Sequence, residues 1–160
     1  MINTDPTSPD FNSYASVADL DAFAVARGYT IPPTNEVKEQ LLMQAMDYLE
    51  GMAWRGLPLD PGQPLQWPRS KIYAGGVVLT GIPRQLIQAQ CRLAVEAQTI
   101  DLMPSYSGGG EVVQEAVTGV VSVSYAEGSS TSTPYFAWLP GMLRGLIGGG
   151  SSVNFDVMRG

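Results

Sequence analysis

Nucleophilic catalysis usually needs a base held beside a hydroxyl or thiol, and histidine is the commonest base. This chain has no histidine and a single cysteine, Cys91. Cys91 stands among Ala89, Leu93 and Ala94 and reads as a buried structural thiol. One cysteine can form neither an intrachain disulfide nor a zinc site, and its isolation fits a reducing compartment. Acid pairs occur at Asp19/Asp21, Glu36/Glu39 and Asp47/Glu50. Asp19 and Asp21 point to different faces of a helix, and Glu36 and Glu39 suit the positive end of one, so solvated faces are expected rather than a glycosidase pair. The glycine runs at 108–110 and 148–150 lack the Gly-Lys-Ser/Thr of a phosphate loop. No catalytic residue, metal or cofactor is expected, and the chain reads as a non-enzyme.

The other chemistry on offer is recognition. Binders of single-stranded nucleic acid interleave aromatic and basic side chains. Two clusters fit, Trp54-Arg55-Gly56 and Trp67-Pro68-Arg69. Their alternative role is to pack a long loop onto helices, with the arginines bonding loop carbonyls. The charge balance favours that alternative. The net charge is −6, and residues 1–60 carry nine acids against Arg27, Lys38 and Arg55. Phosphate binding needs the opposite excess. The basic residues Arg69, Lys71, Arg84 and Arg92 belong to the middle of the chain.

Those residues must be held by a fold of one domain's size, since 160 residues can bury one real core. Charged residues are only 15%, too few for a coiled coil or a wholly disordered chain. No apolar run approaches the 18 or so residues of a membrane span. Residues 1–15 are polar and aperiodic and read as an arm; they lack the basic and apolar regions of a secretory signal. Ser16 as N-cap, Asp19 and Gly28 predict a helix over about 16–27. Val37, Leu41, Ala45, Tyr48 and Met52 predict a second over about 35–54. Residues 55–83 hold five prolines and five glycines and read as a long loop, which in a compact domain is usually functional. Pro83 opens a third helix over about 83–102, with Arg92 and Glu96 able to pair across one turn. PSYSGGG at 104–110 reads as a flexible break. Residues 111–126 then predict a β-hairpin or long β arm, with Val121, Val123 and Tyr125 alternating against serines. A last helix is expected over about 134–147, interrupted by Pro140-Gly141. GGGSS is a spacer before VNFDVMRG, whose Val153, Phe155, Val157 and Met158 form either a disordered end or a tethered strand that docks on a partner.

The fold class is thus mainly α with a small β element: a bundle of about four helices, a β-hairpin or arm, and extended terminal arms. The ordered set of landmarks points further. It comprises SVADLDAFA, LLMQAMDYLE, Trp54-Arg55-Gly56, LQWPR at 65–69, Gly81-Ile82-Pro83, the GVVSVSY strand and a Leu-rich last helix. Over about residues 14–147 it resembles a family of tailed-bacteriophage and prophage proteins labelled DnaT-like single-stranded-DNA-binding. The same layout is similar to the head–tail adaptors of long-tailed phages.

The resemblance implies an adaptor domain over residues 16–147, built into a homomeric ring of about twelve copies beneath the portal. The implied place is the head–tail junction of a virion, after synthesis in a bacterial cytoplasm. The implied partners are the portal, a tail-side neck or tail-terminator protein, and further copies of the chain; genomic double-stranded DNA would pass the lumen without specific binding, and no membrane is involved. The tail, 148–160, would contact the portal, with Ile147, Val153, Phe155, Val157, Met158 and Arg159 as the binding residues. Val121, Val123, Tyr125 and Trp138 are the candidate intersubunit residues. The rival reading is a single-stranded-DNA-binding replication accessory protein that presents Trp54, Trp67, Arg55, Arg69, Lys71 and Arg84 on one surface.

Overall fold

The computed structural model describes residues 1–74, 76–105 and 134–148. Four helices and two antiparallel two-stranded ribbons make it mainly α with a small β element.

The first helix, α1 (Val17–Arg27), starts where its sequence says it should. The Ser16 hydroxyl accepts from the Asp19 amide at 3.1 Å, and the Asp19 carboxylate accepts from the Ser16 amide at 2.8 Å. This reciprocal box satisfies two donors that a helix start leaves open. Gly28 ends α1 in the left-handed region at φ 69°. The second helix, α2 (Asn35–Glu50), buries Leu41, Leu42, Ala45, Met46 and Leu49. It ends at Glu50, four residues short of the expected end, and Val37 at its start is exposed. The apolar stripe therefore runs through Leu42 and Leu49 rather than through Val37 and Met52.

The proline- and glycine-rich stretch is built of short ribbons. β1 (Leu57–Pro58) pairs with β2 (Arg69–Ser70), and β3 (Tyr73–Ala74) pairs with β4 (Val77–Val78). The Leu59 amide donates to Pro68 O at 3.0 Å and the Leu79 amide to Ile72 O at 2.8 Å, extending each ribbon by one bond. The expected β arm at 111–126 lies outside the described residues.

The third helix, α3 (Arg84–Glu96), packs on α1, on α2 and on the short α4 (Leu139–Met142). Its small residues Ala89, Cys91 and Ala94 are buried and let the neighbours come close. It ends six residues earlier than expected. The amides of Thr99 and Ile100 both turn back to Glu96 O, closing the end in tight turns.

The last helix is also a correction. Only Leu139–Met142 is helical, not 134–147. Pro134 and Pro140 lack amide donors, and Gly145 turns the chain at φ 84°. The apolar periodicity survives the lost helix, because Phe136, Leu139, Leu143 and Leu146 are all buried.

Residues 1–15, expected as an arm, lie on the core instead. Phe11, Tyr14 and Ala15 are buried. Asn3 and Asn12 clasp the segment on itself, with Asn3 N–H donating to Asn12 Oδ1 at 2.8 Å and Asn12 N–H to Asn3 O at 3.1 Å. Phe11, Tyr14 and Ala15 are spaced as on one helical face, yet the segment is not helical, so period alone does not reveal how they are buried. No helix among the described residues is long and apolar enough to cross a membrane.

Candidate functional site

The tryptophan–arginine loop is the most elaborate polar construction in the structure, and it is built inward. Trp67 has no exposed surface, and Arg69 retains 7%. Trp54 meets Trp67 edge-on, with ring centroids 5.8 Å apart, and its indole N–H donates to Leu49 O at 3.2 Å. The Trp67–Pro68 peptide is cis. Arg69 spends its donors on the loop itself: Nε to Arg55 O at 2.7 Å, one terminal nitrogen to Gly56 O at 2.8 Å, the other to Gln66 O at 3.1 Å and Gln66 Oε1 at 2.9 Å. A guanidinium is suited to this task because its donors form a rigid fan. Burial pulls its pKa down from the usual value.

A second layer fixes the loop to the helices. Glu50, the last residue of α2, accepts the Tyr14 hydroxyl at 2.7 Å and the Gln66 amide at 3.1 Å. The Trp67 amide donates to the Tyr14 oxygen at 3.2 Å. Burial holds the Glu50 carboxyl above its ordinary range, although these bonds act in the other direction. Burial, the bond to Glu50 and the Glu50 charge together raise the Tyr14 phenol. Above this sits Gln90, a fully buried glutamine on α3. Its Oε1 accepts the amides of Tyr14 (3.0 Å) and Ala15 (2.7 Å), while its Nε2 donates to Ser13 Oγ (2.7 Å) and Leu42 O (3.0 Å).

The six residues of the single-strand-binding reading are therefore divided. Trp67 and Arg69 are inside, and Trp54 is half-buried. Arg55, Lys71 and Arg84 are exposed. A phosphate cannot reach the Arg69 guanidinium without unmaking the loop, and no base can stack on Trp67. Among the described residues the Trp67 and Trp138 indole N–H groups are buried without an acceptor.

The adaptor candidates divide as well. Trp138 is half-buried and stacks inward: the Arg92 guanidinium lies 5.2 Å from its ring and 5.0 Å from that of Tyr29, and donates to the Tyr29 hydroxyl. Arg92 also pairs with Glu96 at 2.8 Å, as its spacing predicts. Ile147 forms a bridge with Trp54, flanked by Arg55 N–H to Leu146 O (2.9 Å) and Gly148 N–H to Ala53 O (2.8 Å). It thus belongs to the folded domain. Val121, Val123, Tyr125, Val153, Phe155, Val157, Met158 and Arg159 lie outside the described residues. Cys91 is 1% exposed, and burial pushes its thiol up to about 12, so it stays neutral and makes a poor nucleophile.

Two features were not singled out in the sequence. One is the Gln90–Tyr14–Glu50 network; its signal was a glutamine on the apolar side of α3. The other is a row of exposed apolar residues on the ribbons: Leu57 (56%), Leu59 (64%), Tyr73 (63%), Val77 (68%) and Val78 (48%). They point to solvent from two-stranded ribbons, which on their own are marginally stable in water and leave strand edges open.

The described residues thus combine a packed helical core, an inward tryptophan–arginine clamp and exposed apolar residues on short ribbons. The chain matches the family described as "Putative DnaT-like ssDNA binding protein" over residues 1–160, and it belongs to that family. No curated protein and no solved structure matches it.

Proposed function

We propose that the chain is a structural assembly protein, a head-to-tail adaptor of a tailed-phage virion that packs with copies of itself as a ring beneath the portal. The observation that carries this reading is the row of exposed apolar side chains on open-edged ribbons. Strand edges and apolar patches of this kind favour protein partners. The buried state of Trp67 and Arg69 supports it from the other side, because the residues best suited to nucleic acid are spent on the fold. The resemblance to adaptors supplies the portal, the tail-side partner and the ring; the tail at 148–160 would supply portal contacts. An acidic chain suits a conduit through which DNA slides without being held.

The second reading is single-stranded-DNA binding. The family's description supports it directly and says nothing of virions, portals or rings. In this structure it would have to use the exposed Arg55, Lys71 and Tyr73 rather than the buried pair. Electron microscopy of the full chain, alone and with its portal, separates the two. Rings stacked coaxially on the portal support the adaptor. A monomer that ignores the portal and binds oligo(dT), with affinity falling steeply as salt rises, replaces it with the second reading.

A further inference from the structure

A groove of about 230 Å³ lies between α1 and α3. Ala22, Ala26 and Ile87 supply its apolar surface above the nearly buried Phe23 and Cys91, and the exposed Arg27 and Arg84 line it too. Neither arginine has an ion-pair partner among the described residues. The groove's one acid, Asp19, has its Oδ2 occupied by the Ser16 amide and hydroxyl at 2.8 and 2.6 Å. Two cations line this one recess, Arg84 open to solvent and Arg27 resting on the Phe23 ring, against a single carboxylate, on a chain of net charge −6. Elsewhere on the first two helices, the cation Lys38 is already paired with Asp21 at 2.6 Å.

We propose that this groove is a docking pocket for a protein partner, taking an extended segment in which an acidic residue stands next to a large apolar one. The apolar side chain would fill the recess, and the carboxylate would bridge Arg27 and Arg84. The volume suits one side chain rather than a whole cofactor, whose sites run from about 300 Å³ upward. Nucleic acid fits less well. Phe23 is only 5% exposed, and Arg27 already covers its ring at 3.9 Å, so no face is left for a base to stack on. Arginine recognises carboxylates by forked bonds, which lysine cannot match. The inference goes beyond both functional readings and depends on neither.

The test uses the full chain and a fluorescein-labelled synthetic peptide carrying one Phe-Asp step in a Gly/Ser background, followed by anisotropy. Saturable binding is expected. It should weaken at least about tenfold in the Arg27→Glu/Arg84→Glu double variant and recover with a Phe-Lys peptide, as a swapped charge pair should. A melting curve checks that the variant folds; if it does not, Arg84→Glu alone decides, since Arg84 is exposed at the start of α3. No saturation up to about 1 mM peptide, equal binding by the variant, or equal binding of a Gly-Asp peptide would overturn the proposal. So would oligo(dT) displacing the peptide through the same two arginines, which would assign the groove to nucleic acid.

Discussion

Gln90→Leu probes whether the core is held by its polar centre. The substitution puts an apolar side chain of similar size in a site with no exposed surface. It deletes four bonds and leaves the buried amides of Tyr14 and Ala15 without an acceptor. Ser13 loses less, since its hydroxyl still donates to Ala15 O at 2.7 Å. Each orphaned buried donor costs about 1–3 kcal/mol, so two cost about 4. The leucine's apolar contacts return about 1 kcal/mol. A net loss of about 3 kcal/mol is a large share of the roughly 5–15 kcal/mol that holds most domains. For a chain of this size it lowers Tm by about 6–12 °C. The assay is thermal and urea unfolding of Gln90→Leu beside Gln88→Leu, a half-buried glutamine on the same helix. Amide exchange at Tyr14 and Ala15 should rise locally in the first variant alone. The amide orientation is part of the test. Reversed, its NH₂ would face two N–H donors, so the assignment rests on chemistry rather than on convention. A loss below about 1 kcal/mol, or one equal to that of Gln88→Leu, would refute the reasoning.

Two further outcomes follow from the loop. Gly56→Ala should cost about 3 kcal/mol or more, because φ is +70° and an added Cβ would sit 2.2 Å from Ser70 O. Gly28→Ala shares the positive φ but meets nothing within 4 Å, so it should cost only about 1–2 kcal/mol; equal losses in urea unfolding would show that close approach at Gly56 is not what matters. Burial raises the Glu50 carboxyl above 4.5, so the folded state binds this proton more tightly than the unfolded chain. Its contribution is complete below pH 4.5 and is lost as pH rises through the raised value. The wild-type stability profile should therefore fall across that window relative to Glu50→Gln, and a difference curve that rises with pH would sink the assignment.

Local signals were the legible part of the sequence. Ser16, Asp19 and Gly28 placed α1 to within a residue, because caps act through bonds between near neighbours. The starts of α2 and α3 were equally readable, α3 from Pro83, although neither start has a side-chain cap bond. Helix ends were not: α2 and α3 stop at Glu50 and Glu96, short of where their apolar spacing runs out, and close in local turns at Gly51 and Ala97. The last segment shows the same limit from another side. Its apolar spacing was correct, but Pro140 and the turn at Gly145 leave only one helical turn. The segment packs by burial alone. The N-terminal residues carry too few apolar positions among prolines and polar residues to mark an element, and Tyr14 finds its partners 36, 53 and 76 residues away. Nothing local in a sequence records contacts at that range.

The tryptophan–arginine element has a further consequence for function. Trp-Pro-Arg is the most specific landmark of the resemblance, and in this chain it is a structural clamp whose arginine fans across the carbonyls of Arg55, Gly56 and Gln66. A landmark that builds a loop is compatible with any task the loop performs. It therefore cannot by itself connect the family's description to DNA. What the clamp does physically is tie the β1–β2 ribbon to the carbonyls beside it, next to the exposed Leu57. Under the proposed assembly reading, these exposed apolar side chains are the surface a partner would cover. The ribbons and the arginine groove between α1 and α3 are thus where binding should be sought, and surface substitutions there, rather than at Trp67 or Arg69, separate lost recognition from lost folding.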